Sequence, residues 1–129
     1  MLDAAIRNVV EGEPDVVSAW FFGSRARDEG RSDSDIDVAL LLRGDVADRA
    51  ERVHSIGMKL KSALQVRVDV VDVAHATPTL GWEIVTGGRR VFARDVELAD
   101  ATEERWLQVW LDTAHMRRVQ HHYLYGDPL

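Results

Sequence analysis

Two apolar runs separated by a short charged segment constrain this chain more than any other feature. They lie in WFFGSRARDEGRSDSDIDVALLL, from Trp20 to Leu42. The β-branched and aromatic residues of the first run predict a strand over 15–22, and those of the second predict a strand over 34–42. Gly23 breaks the first run, and Ser24 is placed to cap a short helical turn through Arg27. Aspartate is disfavoured in strands, yet Asp35 and Asp37 stand two residues apart at the mouth of the second. Residues i and i+2 of a strand share one face, roughly 6.6–7 Å apart. Asp35 and Asp37 therefore share a face, while Ile36, Val38 and Leu40 turn toward a core.

The rest of the chain supplies that core. A short amphipathic helix is expected over 2–10. A second helix is expected to begin at a cap on Asp45, with Asp48 three residues on in an imperfect capping box. Its apolar stripe runs through Val46, Ala50, Val53, Ile56 or Gly57, Leu60 and Leu64. The segment VRVDVVDV over 66–73 reads as a third strand. A helix over 79–85 should stop at Gly87-Gly88, before a short strand over 89–93. A long helix from 97 to about 123 is expected to turn Leu107, Trp110, Leu111 and Ala114 inward. The fold class is α/β (α+β), a small mixed β-sheet with flanking helices. The length of 129 residues and apolar content of 46% suit one domain over 1–129.

Composition narrows the function. A net charge of −6 argues against a general nucleic-acid coat protein, though not against a local basic patch for a phosphate ligand. With no cysteine, disulfides and thiolate metal sites are excluded. The beginning MLDAAIRNVVEGE lacks the basic-then-apolar plan of a signal peptide, and no apolar run approaches the roughly 20 residues that span a bilayer. A cytoplasmic protein is expected.

Two converging carboxylates repel each other, by about 4 kcal/mol at about 4 Å and an effective dielectric near 20. Either one holds a proton or a cation lies between them. Hard divalent ions such as Mg²⁺ take oxygen ligands and share them with substrate phosphates. Asp69 supplies a third acid on a neighbouring strand, with opposite parity to Asp72, which reads as a strand-end acid. Three carboxylates on adjacent strands are the protein half of a two-metal site for in-line displacement at phosphorus. Gly23 permits close backbone approach to a ligand, and Ser24 offers a hydroxyl where helix N–H groups begin. Arg25, Arg27 and Arg31 add positive charge beside that turn. Singly, each feature has a plainer reading: an exposed strand edge, a turn, a solvated loop. Their combination is far more specific.

Gly23-Ser24, ten residues, then Asp35-x-Asp37 resembles the signature of the DNA polymerase β nucleotidyltransferase superfamily. The text FGSRARDEGRSDSDIDVALLL is similar to its minimal nucleotidyltransferases (MNT), and the likeness covers about 16–94. The resemblance implies a polymerase β-like fold in which Asp35, Asp37 and Asp69 bind two Mg²⁺ ions and drive catalysis. By the same resemblance Gly23 and Ser24, helped by Arg25 and Arg27, hold ATP. Proteins of this group are commonly paired with a HEPN-domain toxin, and the implied role is an antitoxin that transfers AMP to a toxin tyrosine. Transfer to a small molecule such as an aminoglycoside, or a non-catalytic binding module, are the alternatives. In the tail, Arg117, His121, His122 and Tyr123 loosely resemble the HEPN Arg…His…Tyr motif, but a surface helix end is the better reading. Trp106, Trp110, Tyr123 and Tyr125 are candidates for an interface, with core packing favoured for Trp110.

Overall fold

The computed structural model describes residues 2–31 and 34–129, so Ser32 and Asp33 of the expected charged loop lie outside the described residues. The elements in chain order are α1 (Leu2–Glu11), β1 (Val16–Phe22), β2 (Ile36–Leu42), α2 (Arg49–Leu64), β3 (Val68–Asp72), α3 (Pro78–Gly87), β4 (Arg89–Ala93), α4 (Val96–Asp112) and α5 (Ala114–Tyr125). One 3₁₀ turn, Val73–His75, links β3 to α3. The sheet order is β3-β2-β1-β4. β1 is antiparallel to both β2 and β4, whereas β2 and β3 are parallel and joined through α2. The sheet is therefore mixed and covered by helices.

Both faces of the sheet are covered, and all seven residues of β1 are buried. One core joins Ile6 and Val10 of α1 and Ile56 and Leu60 of α2 to Ala19, Phe21, Ile36, Val38 and Leu40. The other joins Ile84 of α3 and Ala99 and Trp106 of α4 to Trp20, Phe22 and Ala39. Such two-sided burial explains the unbroken apolar text of these strands. Glu13 and Asp15 tie the start of β1 to α2 through Arg52, and Lys59 adds a second ion pair to Glu13.

Two expectations about helices are corrected. α2 starts at Arg49, four residues after the expected cap. Asp48 is the cap: its carboxylate accepts the Glu51 N–H at 3.1 Å. Asp45 is drawn instead onto the Arg43 guanidinium at 2.7 Å. The single long C-terminal helix is in fact two helices that meet at Thr113. There the Thr113 hydroxyl donates to the Val109 carbonyl at 2.8 Å, and Arg117 folds back over the Trp110 ring at 3.3 Å. The Arg117 guanidinium also donates to the Trp110 carbonyl at 2.7 Å.

The inward face of α4 differs too. Ala99 and Trp106 are its buried residues, and Leu111 is 65% exposed. Successive helical residues turn by about 100°, so a stripe through Trp106 and Trp110 leaves Leu111 to the side. Trp106 packs edge-on against Trp20, and Trp110 stacks on Trp82, both at 5.0 Å. Trp106 is thus a core residue, whereas Trp110 is half-buried outside both cores, held between Trp82 and Arg117 rather than packed inward as expected. Tyr123 and Tyr125 remain exposed.

Candidate active site

The strand register assembles the site at one end of the sheet. Phe22, the last residue of β1, pairs with Asp37 of β2, and Asp37 pairs with Asp69 of β3. Strand alternation then sorts the side chains. Val68 and Val70 pack toward the α1/α2 core, and Val71 packs toward the α3/α4 core. Asp69 shares the parity of Val71, and Asp37 that of Ala39 and Leu41, so the two acids stand side by side on one face. Asp72 lies opposite Leu40 and falls on the other face. There it receives both arms of Arg49, at 2.7 and 3.0 Å, and its Oδ1 accepts the Ala74 N–H. Of the two acids of β3, Asp69 is the one placed toward Asp37.

Asp69 is exposed and Asp37 half-buried, because β3 is the sheet edge and β2 is internal. Asp35 immediately precedes β2, with its Oδ1 3.8 Å from Nε of Arg67. The Asp37 carboxyl titrates above the ordinary aspartate range. Burial is the largest cause, followed by the charges of Asp69, Asp35 and Glu83, with Arg27 pulling the other way. The field at Asp37 is thus that of a crowded acidic site. Among the described residues, no three acids are close enough to form a ready-made metal cage. The donors are hard oxygens in mutual repulsion, which suits a divalent ion that completes its shell with phosphate oxygens. Asp35, Asp37 and Asp69 are the residues that could hold one.

Gly23 has φ of +84°, and a Cβ there would stand 2.1 Å from Oδ2 of Asp37. Its missing side chain makes room for the carboxylate itself, a closer constraint than the expected approach to a ligand. The following residues form hydrogen-bonded turns rather than a helix. The Gly23 carbonyl accepts the Ala26 N–H at 3.1 Å, and the Ser24 carbonyl accepts the Glu29 N–H at 2.9 Å. Gly30 closes over this turn, where a Cβ would lie 2.8 Å from the Ser24 hydroxyl oxygen. Arg25 donates to the Ser34 carbonyl at 2.8 Å and so clamps the loop to the start of β2. Arg27 pairs with Glu29 at 3.0 Å, and its charge is felt at Asp37. The Arg31 N–H donates to the Ser34 hydroxyl at 2.9 Å, a contact within the loop.

Three residues were missed by sequence reasoning. Glu83 of α3 adds negative charge at Asp37. Arg67 approaches Asp35, and Arg89 supports the turn by donating to the Ala26 carbonyl at 2.8 Å. Glu83 and Arg89 reach the site from elements distant in sequence, so no local spacing announces them, while Arg67, two residues before Asp69, meets Asp35 only through the pairing of β3 with β2. In the tail, Arg117 holds the α4–α5 corner, and His121 and His122 bond to Asp127. These contacts match the reading of the tail as a surface helix end.

Comparison with known proteins speaks to the family and the fold. A curated relative, Protein adenylyltransferase MntA of Shewanella oneidensis, is 34% identical over 79 residues, which are 61% of this chain. The match takes in 55% of that protein's length. A chain of a crystal structure of a toxin-antitoxin with AMP-PNP superposes with a TM-score of 0.78 at 22% identity, over 96% of this chain and 99% of that one. A chain of the tri-AMPylated Shewanella oneidensis HEPN toxin in complex with MNT antitoxin gives 0.70 at 21%, over 96% and 99%. These likenesses show a shared fold, the polymerase β-like nucleotidyltransferase fold. The family described as Polymerase beta, Nucleotidyltransferase matches residues 4–97, which include every acid of the site, and the chain belongs to that family.

Proposed function

We propose that this chain is a Mg²⁺-dependent protein adenylyltransferase that moves AMP from ATP to a tyrosine of a HEPN-family toxin, and so serves as its antitoxin. The observation that carries the reading is the pairing of Asp37 with Asp69 on one face, beside Asp35 and the Gly23 turn. The relative named as a protein adenylyltransferase supports AMP as the transferred group. The related complexes of toxin and MNT antitoxin support a HEPN partner.

In this reading Asp35, Asp37 and Asp69 hold two divalent ions, and Gly23 and Ser24 seat the triphosphate with Arg25 and Arg27 nearby. When bound, the ions would offset phosphate charge and stabilise the departing pyrophosphate. Asp69 stands at the accessible sheet edge, where it can accept the proton of an arriving tyrosine hydroxyl. The tyrosine oxygen attacks the α-phosphorus of ATP, the bond to the β-phosphate oxygen breaks, and pyrophosphate leaves. The product is a tyrosyl phosphodiester of AMP. It adds bulk and negative charge, which would repel RNA from a toxin's basic surface. Intact-mass spectrometry of a co-encoded HEPN partner, incubated with the chain, ATP and Mg²⁺, tests this. A gain of one or more AMP units with loss of RNase action is expected. An unmodified partner, with AMP appearing on an aminoglycoside instead, would replace this reading with small-molecule modification.

A further inference from the structure

We infer that Arg89, gripped by Asp3, is a positioning residue for nucleotide binding: from the face of the sheet opposite the acids it fixes the Gly23–Arg27 turn that receives the triphosphate. The inference rests on the nucleotidyltransferase reading above and names what keeps its phosphate seat in shape. Arg89 lies opposite Phe21 in the pairing of β1 with β4, so the two share a face. Phe21 belongs to the α1/α2 core, whereas Asp37 and Asp69 stand on the α3/α4 face. Arg89 thus approaches from behind the acids and acts through the turn.

Its guanidinium is fixed on three sides. Nε and Nη2 donate to the two carboxylate oxygens of Asp3 at 2.5 and 2.8 Å. The guanidinium lies over the Phe21 ring at 5.0 Å, and Nη1 donates to the Ala26 carbonyl at 2.8 Å. A two-armed carboxylate pair sets the plane of a guanidinium, so the third donor is aimed rather than free to swing. Ala26 is then held at both its polar ends, because its N–H donates to the Gly23 carbonyl at 3.1 Å, and its side chain is buried in the α1/α2 core. Within the turn, the N–H groups of Ser24 and Arg25 have no acceptor among the described residues. Gly23 just before them is left-handed, with φ of +84°. Consecutive free N–H groups in such a turn make a seat for an anion, and they share a direction only while the turn keeps its shape. An exposed ion pair adds little to stability alone, and both Asp3 and Arg89 are exposed. The consequence of this pair is therefore local order in the turn.

The test uses the full chain and calorimetry with Mg-ATP. Arg89→Met, which removes every donor and keeps an apolar stem over Phe21, should weaken Mg-ATP binding about tenfold, equivalent to ~1.4 kcal/mol. Asp3→Asn should weaken it about threefold, because the guanidinium stays near the charge of Asp28 but is no longer aimed by a charged pair. Arg89→Lys, which keeps the charge and a donor, should recover part of the loss. Melting without nucleotide should stay close to that of the parent in all three. Hydrogen exchange gives a readout independent of nucleotide: the Ala26 and Arg27 amides should exchange faster in Arg89→Met, while those of β1 keep the parent rate. Parent-like Mg-ATP affinity in Arg89→Met, unaltered exchange in the turn, or a Lys variant as weak as the Met variant would each overturn the positioning role. Equal loosening of β1 would reduce Arg89 to a structural tie and overturn it too. If Arg89→Met does not fold, Asp3→Asn decides by the same two measurements. Failure of the parent protein to bind Mg-ATP would instead sink the nucleotidyltransferase reading beneath it.

Discussion

At Gly23 a single hydrogen decides whether Asp37 can point where it does. A Cβ there would meet the Asp37 carboxylate at 2.1 Å, and the φ of +84° already disfavours any other residue. Gly23→Ala should therefore displace Asp37 and lower AMP transfer by about a hundredfold or more, since metal-site geometry is worth several kcal/mol of transition-state stabilisation. Single-turnover kinetics with saturating ATP would check this, and near-normal turnover would show that Asp37 is not needed. Asp37→Asn separates stability from chemistry. The folded-state pKa of Asp37 is raised, so its ionised form works against folding at neutral pH and the burden lifts as pH falls through that value. Thermal melts at pH 7 should show Asp37→Asn melting above the parent without metal, with the gap closing on acidification. The same variant should lose Mg²⁺-dependent ATP binding. An equal or lower Tm at pH 7 would remove repulsion from the account of the site.

At the scale of elements, β1 is the strand on which both cores depend, and it carries one flaw. Ser18 is fully buried, and its hydroxyl is the one buried side-chain polar atom without a partner among the described residues. The register of β1 shifts between Val16 and Ser18, a bulge that lets Val16 and Ala19 enter the same core although three residues apart. An unpaired buried hydroxyl costs about 1–3 kcal/mol of desolvation, so Ser18→Ala should be neutral or stabilise by about 1 kcal/mol. Urea unfolding will show it, and a clear loss of stability would mean that the hydroxyl has a partner in solution. α3 and α4 make the opposite case. A Cβ on Gly81 would stand 2.7 Å from the Trp106 ring, so Gly81→Ala should cost about 1–3 kcal/mol by overpacking despite the better helix propensity of alanine. Denaturant midpoints compared with those of exposed alanine variants decide between packing and propensity.

For the whole molecule, ion pairs join segments far apart in sequence, and they should set the acid limit of stability. Asp3 and Asp15 are held below the ordinary carboxylate range by Arg89 and Arg52. At Glu13 burial pushes upward, but the Lys59 and Arg52 bonds outweigh it, and Arg49 does the same for buried Asp72. Depressed folded-state values give stability that is present above the unfolded carboxyl range and lost as pH falls through the folded values. The Tm should therefore hold between pH 7 and 5 and decline below about 4.5, the ordinary glutamate value. A Tm independent of pH down to 3 would show that these pairs contribute nothing net. Much of this molecule was legible in local text. Alternation placed Asp69 with Asp37 and Asp72 elsewhere, apolar runs marked β1 and β2, and Gly23 marked a turn, because each depends on the chain's own period or dihedrals. The start of α2, the break at Thr113 and the inward face of α4 were not, because competing side-chain bonds, Asp45 to Arg43 and Arg117 to Trp110, decide the first two, and the packing of Trp106 on Trp20 decides the third. The sequence by itself thus determined which residues could share a face and where the acids lie. Only the tertiary structure decided that β2 and β3 pair in parallel with Asp37 opposite Asp69, and that Gly23 shelters the carboxylate. Those outcomes arise from contacts between segments tens of residues apart, which no local period encodes.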